Sequence, residues 1–213
     1  MGRDSAMLVG LCGMSGAGKG YVSEIFASFG IPSIDTDAVY REMTCPSEEP
    51  SGCMKELADR FGEAVMNTDN SLNRPAMREL VFSGDREALE DLNRITHRHI
   101  LGRTREIAVS MFREGHDVIL IDAPLLFESG FDRECERNIC VTAPYEKLVK
   151  RIMKRDGISE QEAGMRLSNQ TSQCDTASRC DYIIVNDCPK RKLRAEIKKI
   201  AAELKRTASQ DTE

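Results

Sequence analysis

Short apolar runs alternate with segments of helical periodicity along most of the chain. Five of these runs predict short buried strands: Met7–Cys12, Ser33–Asp35, Val118–Asp122, Asn138–Thr142 and Tyr182–Val185. Strands that alternate with helices are typical of a parallel sheet with helices on both faces. The pattern therefore predicts an α/β fold built on a five-stranded parallel sheet.

The interval between the second and third predicted strands is about eighty residues long, which is too long for one crossover helix. Helical patterns occupy three parts of it: Met54–Phe61, Arg74–Phe82 and Asp85–Arg113. The last predicted helix has an inward-facing set of residues: Leu89, Leu92, Ile95 and His99. We expect a helical insertion at about 45–116, over the carboxyl ends of the strands, where open α/β sheets bind ligands.

The interval between the fourth and fifth strands predicts two helices, Glu146–Arg155 and Ser159–Asn169, the second with a capping box of Ser159 and Glu162. Residues 147–155 hold five cationic side chains and no acid. This run fits either a mobile lid over phosphates or a solvated basic helix face. We expect a single domain with a core at 6–44, 117–145 and 180–206 and a lid at about 146–179. A basic helix at Lys190–Arg206 and a frayed tail complete it.

The first predicted strand runs into a glycine-rich segment with the spacing Gly13-x-x-x-x-Gly18-Lys19. A loop that wraps a nucleoside triphosphate turns its N–H groups inward, and glycines let the backbone approach the phosphates while the lysine supplies a cation. A helix predicted from Lys19 to Phe29 directs its positive end at the same anion. Gly20 and Tyr21 follow Lys19, where a Ser/Thr hydroxyl usually holds Mg²⁺. Either water or another carboxylate must hold the ion, or the ion binds more weakly.

Acidic residues close two of the predicted strands. Asp35 and Asp37 follow the second strand, and Asp122 ends the third. Carboxylates at strand ends beside a phosphate loop can hold Mg²⁺ or accept a hydroxyl proton. Asp37 also fits a second role, as the N-cap of a helix at Ala38–Met43.

Composition narrows the class of protein further. A net charge of −5 argues against a general nucleic-acid binder, and the chain has neither a membrane-length apolar run nor a signal-peptide cleavage pattern, which predicts a cytoplasmic protein. Its eight cysteines contain no C-x-x-C pair, so reduced thiols are favoured over disulfides or a zinc site. Cys12 and Cys140 lie within apolar strand patterns, as small buried hydrophobic residues do.

Several segments resemble, in order and spacing, the dephospho-coenzyme A kinases of the P-loop kinase superfamily. Besides the phosphate loop they are IDTDAVYRE (34–42), LNRPAMRELVF (72–82), LNRITHRHI (92–100), DAPLLFESG (122–130), KRIMKRDGIS (150–159) with Asn169-Gln170, and DYIIVND (181–187). The resemblance covers the chain from Leu8 to about Leu204. It implies a P-loop kinase fold with a helical substrate insertion and a lid.

The resemblance also implies a reaction and a set of site residues. ATP, with Mg²⁺, would phosphorylate the ribose 3′-hydroxyl of dephospho-coenzyme A, in a monomer or small homo-oligomer. Catalytic roles fall on Asp37, Lys19, Arg151 and Arg155. The nucleotide would contact Gly13, Ser15, Gly16, Ala17, Gly18, Lys19, Gly20, Tyr21 and Asn186. The acceptor would contact Asp37, Arg41, Arg74, His97, Asp122, Leu125, Leu126 and Glu128, with Asp122 also the metal ligand.

Three positions depart from the pattern of the family. Gly20 replaces Ser/Thr, Ser15 replaces an apolar residue, and Arg98 replaces the proline that usually follows the histidine. Three other functions stay open. They are a nucleoside monophosphate kinase, a nucleotide switch of the GTPase type (although the sequence has no N-K-x-D motif), and a kinase-fold protein that binds ATP without transferring phosphate.

Overall fold

The computed structural model describes residues 6–82 and 86–210. The described residues divide into two compact units. The first comprises the chain up to Ile34 and from Ala108 onwards, and the second comprises Asp35–Ile107. The predicted five-stranded sheet and the phosphate loop belong mainly to the first unit, and most of the predicted insertion belongs to the second.

The five predicted strands form one parallel sheet, as expected. They are β1 (Met7–Cys12), β2 (Ser33–Asp35), β3 (Val118–Asp122), β4 (Arg137–Thr142) and β5 (Tyr182–Val185). Their order across the sheet is β2-β3-β1-β4-β5. β1 is central and parallel to β3 and β4, with Leu11 opposite Asp122 and Cys12 opposite Cys140. Consequently, the carboxyl ends of β1 and β3 meet at the edge where the phosphate loop begins.

Nine helices with α geometry lie within the described residues. They are α1 (Lys19–Ala27), α2 (Thr36–Thr44), α3 (Gly52–Phe61), α4 (Arg74–Phe82), α5 (Arg86–Arg113), α6 (Tyr145–Asp156), α7 (Glu160–Ser168), α8 (Gln173–Ser178) and α9 (Lys190–Gln210). Short 3-10 helices lie at Glu63–Val65 and Phe131–Glu134. The sequence missed α8 because a six-residue polar helix has no apolar periodicity.

The core of the first unit comes from the apolar residues of the central strands. Val9 and Leu11 of β1 and Leu120 of β3 are fully buried, as are Phe26 of α1 and Leu148 of α6. This continuous burial is typical of strands covered on both faces. It fixes β1 firmly, so the loop that follows it starts from a rigid base.

The second unit has its own apolar cluster, formed mainly by helices α3 to α5. Its buried members are Cys53, Met54, Leu57, Val65, Leu72, Met77, Val81 and Ile95. The predicted inward face of α5 is correct at Ile95, but Leu89 is 42% exposed, so its inward placement was wrong. Leu89 lies near the start of a 28-residue helix, outside the part that packs on this cluster.

The predicted ends of α1 and α9 need correction. α1 stops at Ala27 rather than Phe29, because the chain turns at Gly30 with a φ of 77°. The long helix α5 is described from Arg86, and its predicted start at Asp85 lies outside the described residues. α9 continues to Gln210 instead of fraying after Arg206, because Ala208 is buried against the first unit's core. No helix of the described residues has the length and apolar character needed to cross a membrane.

Candidate functional site

The phosphate loop links β1 to α1 and requires glycine at several closely packed positions, of which Gly13 and Gly18 leave the least room. Gly13 has a φ of 149°, and a Cβ there would lie 2.4 Å from the Val141 carbonyl oxygen. Gly18 has a φ of 94°, and a Cβ there would lie 2.3 Å from Asn186 Nδ2. Both positions combine a left-handed backbone with contact to a neighbouring segment, so no larger residue fits without rearrangement.

Lys19, the first residue of α1, forms an ion pair with Asp122 at the end of β3. Its Nζ lies 3.1 Å from Asp122 Oδ1, and the two side chains are only 17% and 15% exposed. The parallel register of β1 and β3 places this carboxylate beside the loop. The structure thus brings together the predicted phosphate-binding cation and the predicted metal ligand.

Arg151 of α6 holds the backbone of the phosphate loop. Its Nη1 donates to the carbonyl oxygens of Gly16 at 3.0 Å and Ala17 at 3.2 Å, and its Nη2 donates to the Asn186 carbonyl oxygen at 3.0 Å. Asn186 Nδ2 also donates to the Ala17 carbonyl oxygen at 2.8 Å. Arg151, which was predicted to be catalytic, and Asn186, which was predicted to contact the nucleotide, therefore brace the loop that would receive it.

Ser15 connects the loop to Arg155 and Gln170. Its hydroxyl accepts a hydrogen bond from Arg155 Nη2 at 3.1 Å, and its N–H donates to Gln170 Oε1 at 3.0 Å. The Arg155 guanidinium also contacts the carboxylate of Asp156, whose pKa it lowers. Gln170 is part of the family resemblance, but nothing in the local sequence around this exposed glutamine predicts its contact with Ser15.

An open cavity of about 290 Å³ lies next to the loop in the first unit. Its walls come from the end of β1 and the start of the loop, from the segment after β3, and from α8 with the segment before it. The lining residues are Cys12, Gly13, Met14, Pro124, Leu125, Leu126, Phe127, Glu128, Asn169, Gln170, Thr171 and Thr176. Leu125 is 53% exposed, whereas Leu126 is fully buried. Glu128 Oε1 accepts a hydrogen bond from Thr171 Oγ1 at 2.8 Å. Three predicted acceptor residues thus share one cavity.

The residues available for Mg²⁺ centre on Asp122. The described residues contain no cluster of three or more His, Cys, Asp or Glu side chains able to hold a metal. Gly20 is exposed with no atom within 4 Å of a Cβ position, and the Tyr21 ring lies below Lys190 Nζ at 5.3 Å. Because Mg²⁺ in nucleotide sites keeps several waters and binds one or two carboxylates plus phosphate oxygens, Asp122 fits the ion.

In the second unit, the structure corrects the proposed capping role of Asp37. The helix begins at Thr36, and Asp35 is its N-cap: Asp35 Oδ1 accepts from Asp37 N at 2.9 Å and Ala38 N at 3.1 Å. Asp37 lies in the first turn with an exposed side chain. Arg41, one turn later, lies 3.5 Å from Asp35 Oδ2. The N-cap role belongs to Asp35, which leaves the Asp37 carboxylate for other contacts.

The other predicted residues of the second unit lie on α4 and α5. The Arg74 guanidinium lies 5.8 Å from the Tyr40 ring centroid, and burial raises the pKa of Tyr40. His97 is half-buried on α5. Arg98, which replaces a proline of the family pattern, lies inside the continuous helix and forms an ion pair with Glu56. The same carboxylate contacts His99 Nε2 at 2.8 Å, and that hydrogen bond lowers the pKa of Glu56.

Behind the phosphate loop, three cysteines that are distant in sequence come together. All eight cysteines, which lie within the described residues, are free thiols, and Cys12 and Cys140 are buried as predicted. Cys12 Sγ lies 3.6 Å from Cys180 Sγ. The sequence gave no sign of this contact, because it depends on the register of β1, β4 and the turn before β5.

The comparisons with known protein sequences agree on one family. The family model of dephospho-CoA kinase matches residues 7–191. A dephospho-CoA kinase of Listeria monocytogenes is 33% identical over 84% of this chain and 88% of its own length, and one of Arabidopsis thaliana is 31% identical over 93% and 84%.

Two solved structures are similar over nearly their whole length. A crystal structure from Thermus thermophilus has a TM-score of 0.75 and 29% identity, covering 93% of this chain and 98% of its own. The dephospho-CoA kinase of Campylobacter jejuni has a TM-score of 0.65 and 26% identity, covering 94% and 98%. Each thus shares the fold of this chain with very little of its own length left unmatched.

Proposed function

The chain belongs to the dephospho-CoA kinase family, and from that premise we propose how its own residues carry out the reaction. A kinase of this family transfers the γ-phosphate of ATP to the 3′-hydroxyl of dephospho-coenzyme A, the last step of coenzyme A synthesis. The observation that carries the proposal is the Lys19–Asp122 pair at the mouth of a braced phosphate loop. It supplies a cation for the phosphates and a carboxylate for the metal in one place.

The loop and Lys19 bind the β- and γ-phosphates. The Lys19 ammonium contacts Asp122, which holds it close to the loop. With phosphates bound, Lys19 would contact their oxygens and Asp122 would hold Mg²⁺. The ion would supply neutralisation of the phosphate charge. The open space around Gly20 would admit a water in place of the usual hydroxyl.

Arg151 and Arg155 of the basic segment have different proposed roles. Arg151 contributes through the loop, because both of its terminal nitrogens hold backbone carbonyls in place. Arg155 is exposed and held by weaker surface contacts to Ser15 and Asp156, so it can turn toward the transferred phosphate. Developing charge on the equatorial oxygens is then stabilised by Lys19 and Arg155. These contacts of Arg151 and Arg155 favour a lid role for residues 147–155 over a purely solvated basic face.

The acceptor hydroxyl must lose a proton as the new bond to phosphorus forms. Asp37 is the proposed base, since its side chain is exposed and Asp35, not Asp37, is the N-cap of α2. Arg41, Arg74 and His97 are proposed to bind the acceptor, as are Leu125, Leu126 and Glu128 in the cavity of the first unit. We further propose a cytoplasmic protein that acts as a monomer or small homo-oligomer without nucleic-acid partners.

The test is ADP release with ATP and Mg²⁺ in the presence of one acceptor at a time: dephospho-coenzyme A, AMP, CMP, shikimate or none. We expect turnover with dephospho-coenzyme A alone. Turnover with AMP or CMP instead would support the nucleoside monophosphate kinase. ATP binding without transfer to any acceptor would support an inactive nucleotide-binding protein and overturn the proposal.

A further inference from the structure

A cluster of three cysteines lies behind the phosphate loop, outside the groups used by the proposed reaction. Cys12 ends β1, Cys140 is its partner on β4, and Cys180 precedes β5. We propose that Cys12 and Cys180 form a modification site, at which a peroxide joins the two thiols in a reversible disulfide. Their sulfur atoms lie 3.6 Å apart, in direct contact.

The site is reached through the cavity beside the loop. Cys12 is one of the residues that line this open space of about 290 Å³, although the residue as a whole is only 2% exposed. Cys180 is half-buried on the other side of the contact. Hydrogen peroxide is close to water in size, so the low exposure of Cys12 favours it over bulkier oxidants.

Hydrogen bonds connect the three thiols and decide which of them ionises most readily. Hydrogen bonding from Cys12 and Cys180 lowers the pKa of Cys140, whereas hydrogen bonding to Cys140 and Cys180 raises the pKa of Cys12. The hydrogen bond with Cys12 lowers the pKa of Cys180, but the hydrogen bond with Cys140 and burial raise it to about 12 overall. The thiolate is the form of cysteine that attacks peroxide, so the contact of the two sulfurs, and not a lowered pKa, favours a link between Cys12 and Cys180.

The reaction balances without a further reactant. One sulfur of the pair attacks a peroxide oxygen, the O–O bond breaks, and a sulfenic acid and one water form. The second sulfur then attacks the sulfenic sulfur, the S–S bond forms, and a second water leaves. Two thiols lose two electrons and two protons, and the peroxide is reduced to two waters. The sulfurs close from 3.6 Å to about 2.05 Å.

A disulfide here would restrain the segment that returns from the basic helices to β5. Gln170 of this segment binds the Ser15 N–H, and Gln173 binds both the N–H and the carbonyl oxygen of Ala143 at 3.0 Å. A covalent link at Cys180 adds a third restraint, which ties the segment to the end of β1. Oxidation is then expected to slow lid movement and turnover. The chemistry is independent of the proposed function, and only the effect on turnover rests on it.

Peroxide treatment of the intact protein, followed by alkylation and mass spectrometry, tests the site. Before alkylation the intact mass should fall by about 2 Da, since two hydrogens are lost. Digestion after alkylation should give a linked peptide pair containing Cys12 and Cys180, which dithiothreitol separates. Cys180→Ala should abolish the link and Cys140→Ala should retain it. Cys174→Ala is the matched control, because Cys174 is an exposed thiol on the neighbouring helix α8. The Cys174→Ala variant should form the same linked pair as the unsubstituted protein.

The same samples are assayed for binding of a non-hydrolysable ATP analogue and for turnover. We expect at least a tenfold loss of turnover on oxidation, restored by reductant and missing in Cys180→Ala. Two results would overturn the inference: peroxide leaves Cys12 and Cys180 as thiols, or the linked pair contains Cys174 instead. Equal inactivation of Cys180→Ala would overturn the regulatory effect. An untreated protein that fails to phosphorylate dephospho-coenzyme A would contradict the proposed function but not the disulfide.

Discussion

The ammonium group of Lys19 lies 3.1 Å from Asp122 Oδ1, at the point where the first helix and the third strand meet. Both side chains are more than four-fifths buried, so the pair is screened from solvent far less than a surface ion pair. A buried charge that loses its partner is costly. Phosphate binding offers Lys19 a replacement partner, and a cation offers one to Asp122. We therefore expect phosphate binding by Lys19 and cation binding by Asp122 to be coupled.

Removal of the lysine should abolish most of the activity. We expect Lys19→Ala to lower turnover at least ~100-fold, the scale of one lost preorganised electrostatic group. The measurement is steady-state ADP release with dephospho-coenzyme A, and Lys192→Ala on the exposed face of α9 is the matched control. Comparable rates for the two variants would contradict the role of Lys19.

Asp122→Asn tests the binding of Mg²⁺ separately from the binding of the nucleotide. The amide keeps the shape of the side chain but loses the charge that holds both Lys19 and the cation, so the Mg²⁺ concentration for half-maximal turnover should rise several-fold. Asp117→Asn is the control, because Asp117 lies just before the opposite end of the same strand. A magnesium titration measures the change. An unaltered Mg²⁺ requirement in Asp122→Asn would mean that the ion is held elsewhere.

Two glycines of the phosphate loop should respond in opposite ways to a side chain. At Gly20 no atom lies within 4 Å of a Cβ, so Gly20→Ser should keep activity and lower the Mg²⁺ requirement by restoring a hydroxyl ligand. At Gly18 a Cβ would clash with Asn186 Nδ2 and the φ of 94° is strained, so Gly18→Ala should weaken ATP binding. Titration with ATP and Mg²⁺ compares them. A large loss in Gly20→Ser would show that the loop requires glycine there too.

The sequence predicted the elements with strong local signals. β1 and β3 are continuous apolar runs and were predicted residue for residue, and the capping box of Ser159 and Glu162 is present in the structure. The phosphate loop was evident from its glycine and lysine spacing. Each of these signals lies within a few residues, which is why pattern alone was sufficient.

Contacts between distant segments could not be predicted in the same way. The hydrogen bonds of Arg151 to the loop join residues 134 and 135 positions apart, and the contact of Cys12 with Cys180 spans 168. They depend on the order of strands across the sheet, which the chain order does not give. The sequence offered Asp37 as an alternative N-cap and overlooked Asp35 for a simpler reason. Either aspartate satisfies the cap preference, and only the backbone shows where the helix starts.

Because Asp35 and not Asp37 caps α2, substitutions at these two positions should separate an effect on catalysis from an effect on stability. Asp37→Asn removes the proposed base and should lower turnover at least ~100-fold with an unchanged thermal midpoint. Asp35→Ala removes the cap of α2 and should cost about 1 kcal/mol of stability, with a smaller effect on turnover. Thermal unfolding and steady-state kinetics are measured on both. Near-normal turnover in Asp37→Asn would refute its role as the base.

Arg151 and Arg155 should likewise separate positioning from catalysis. The planar guanidinium of Arg151 makes three hydrogen bonds to backbone carbonyls, a set that a lysine ammonium cannot reproduce from one point. Arg151→Lys should therefore lower both stability, by about 1 kcal/mol, and ATP affinity, because the loop itself loosens. Arg155→Lys should leave both close to normal and lower kcat, because Arg155 is exposed and its proposed work is done on the transferred phosphate.

Equilibrium binding of a non-hydrolysable ATP analogue, thermal unfolding and kcat are measured on the same preparations of Arg151→Lys and Arg155→Lys. A lower kcat with normal ATP affinity in Arg151→Lys would show that this guanidinium leaves the loop and contacts the phosphate during transfer. Equal losses of ATP affinity in both variants would show that the two arginines act together on the bound nucleotide.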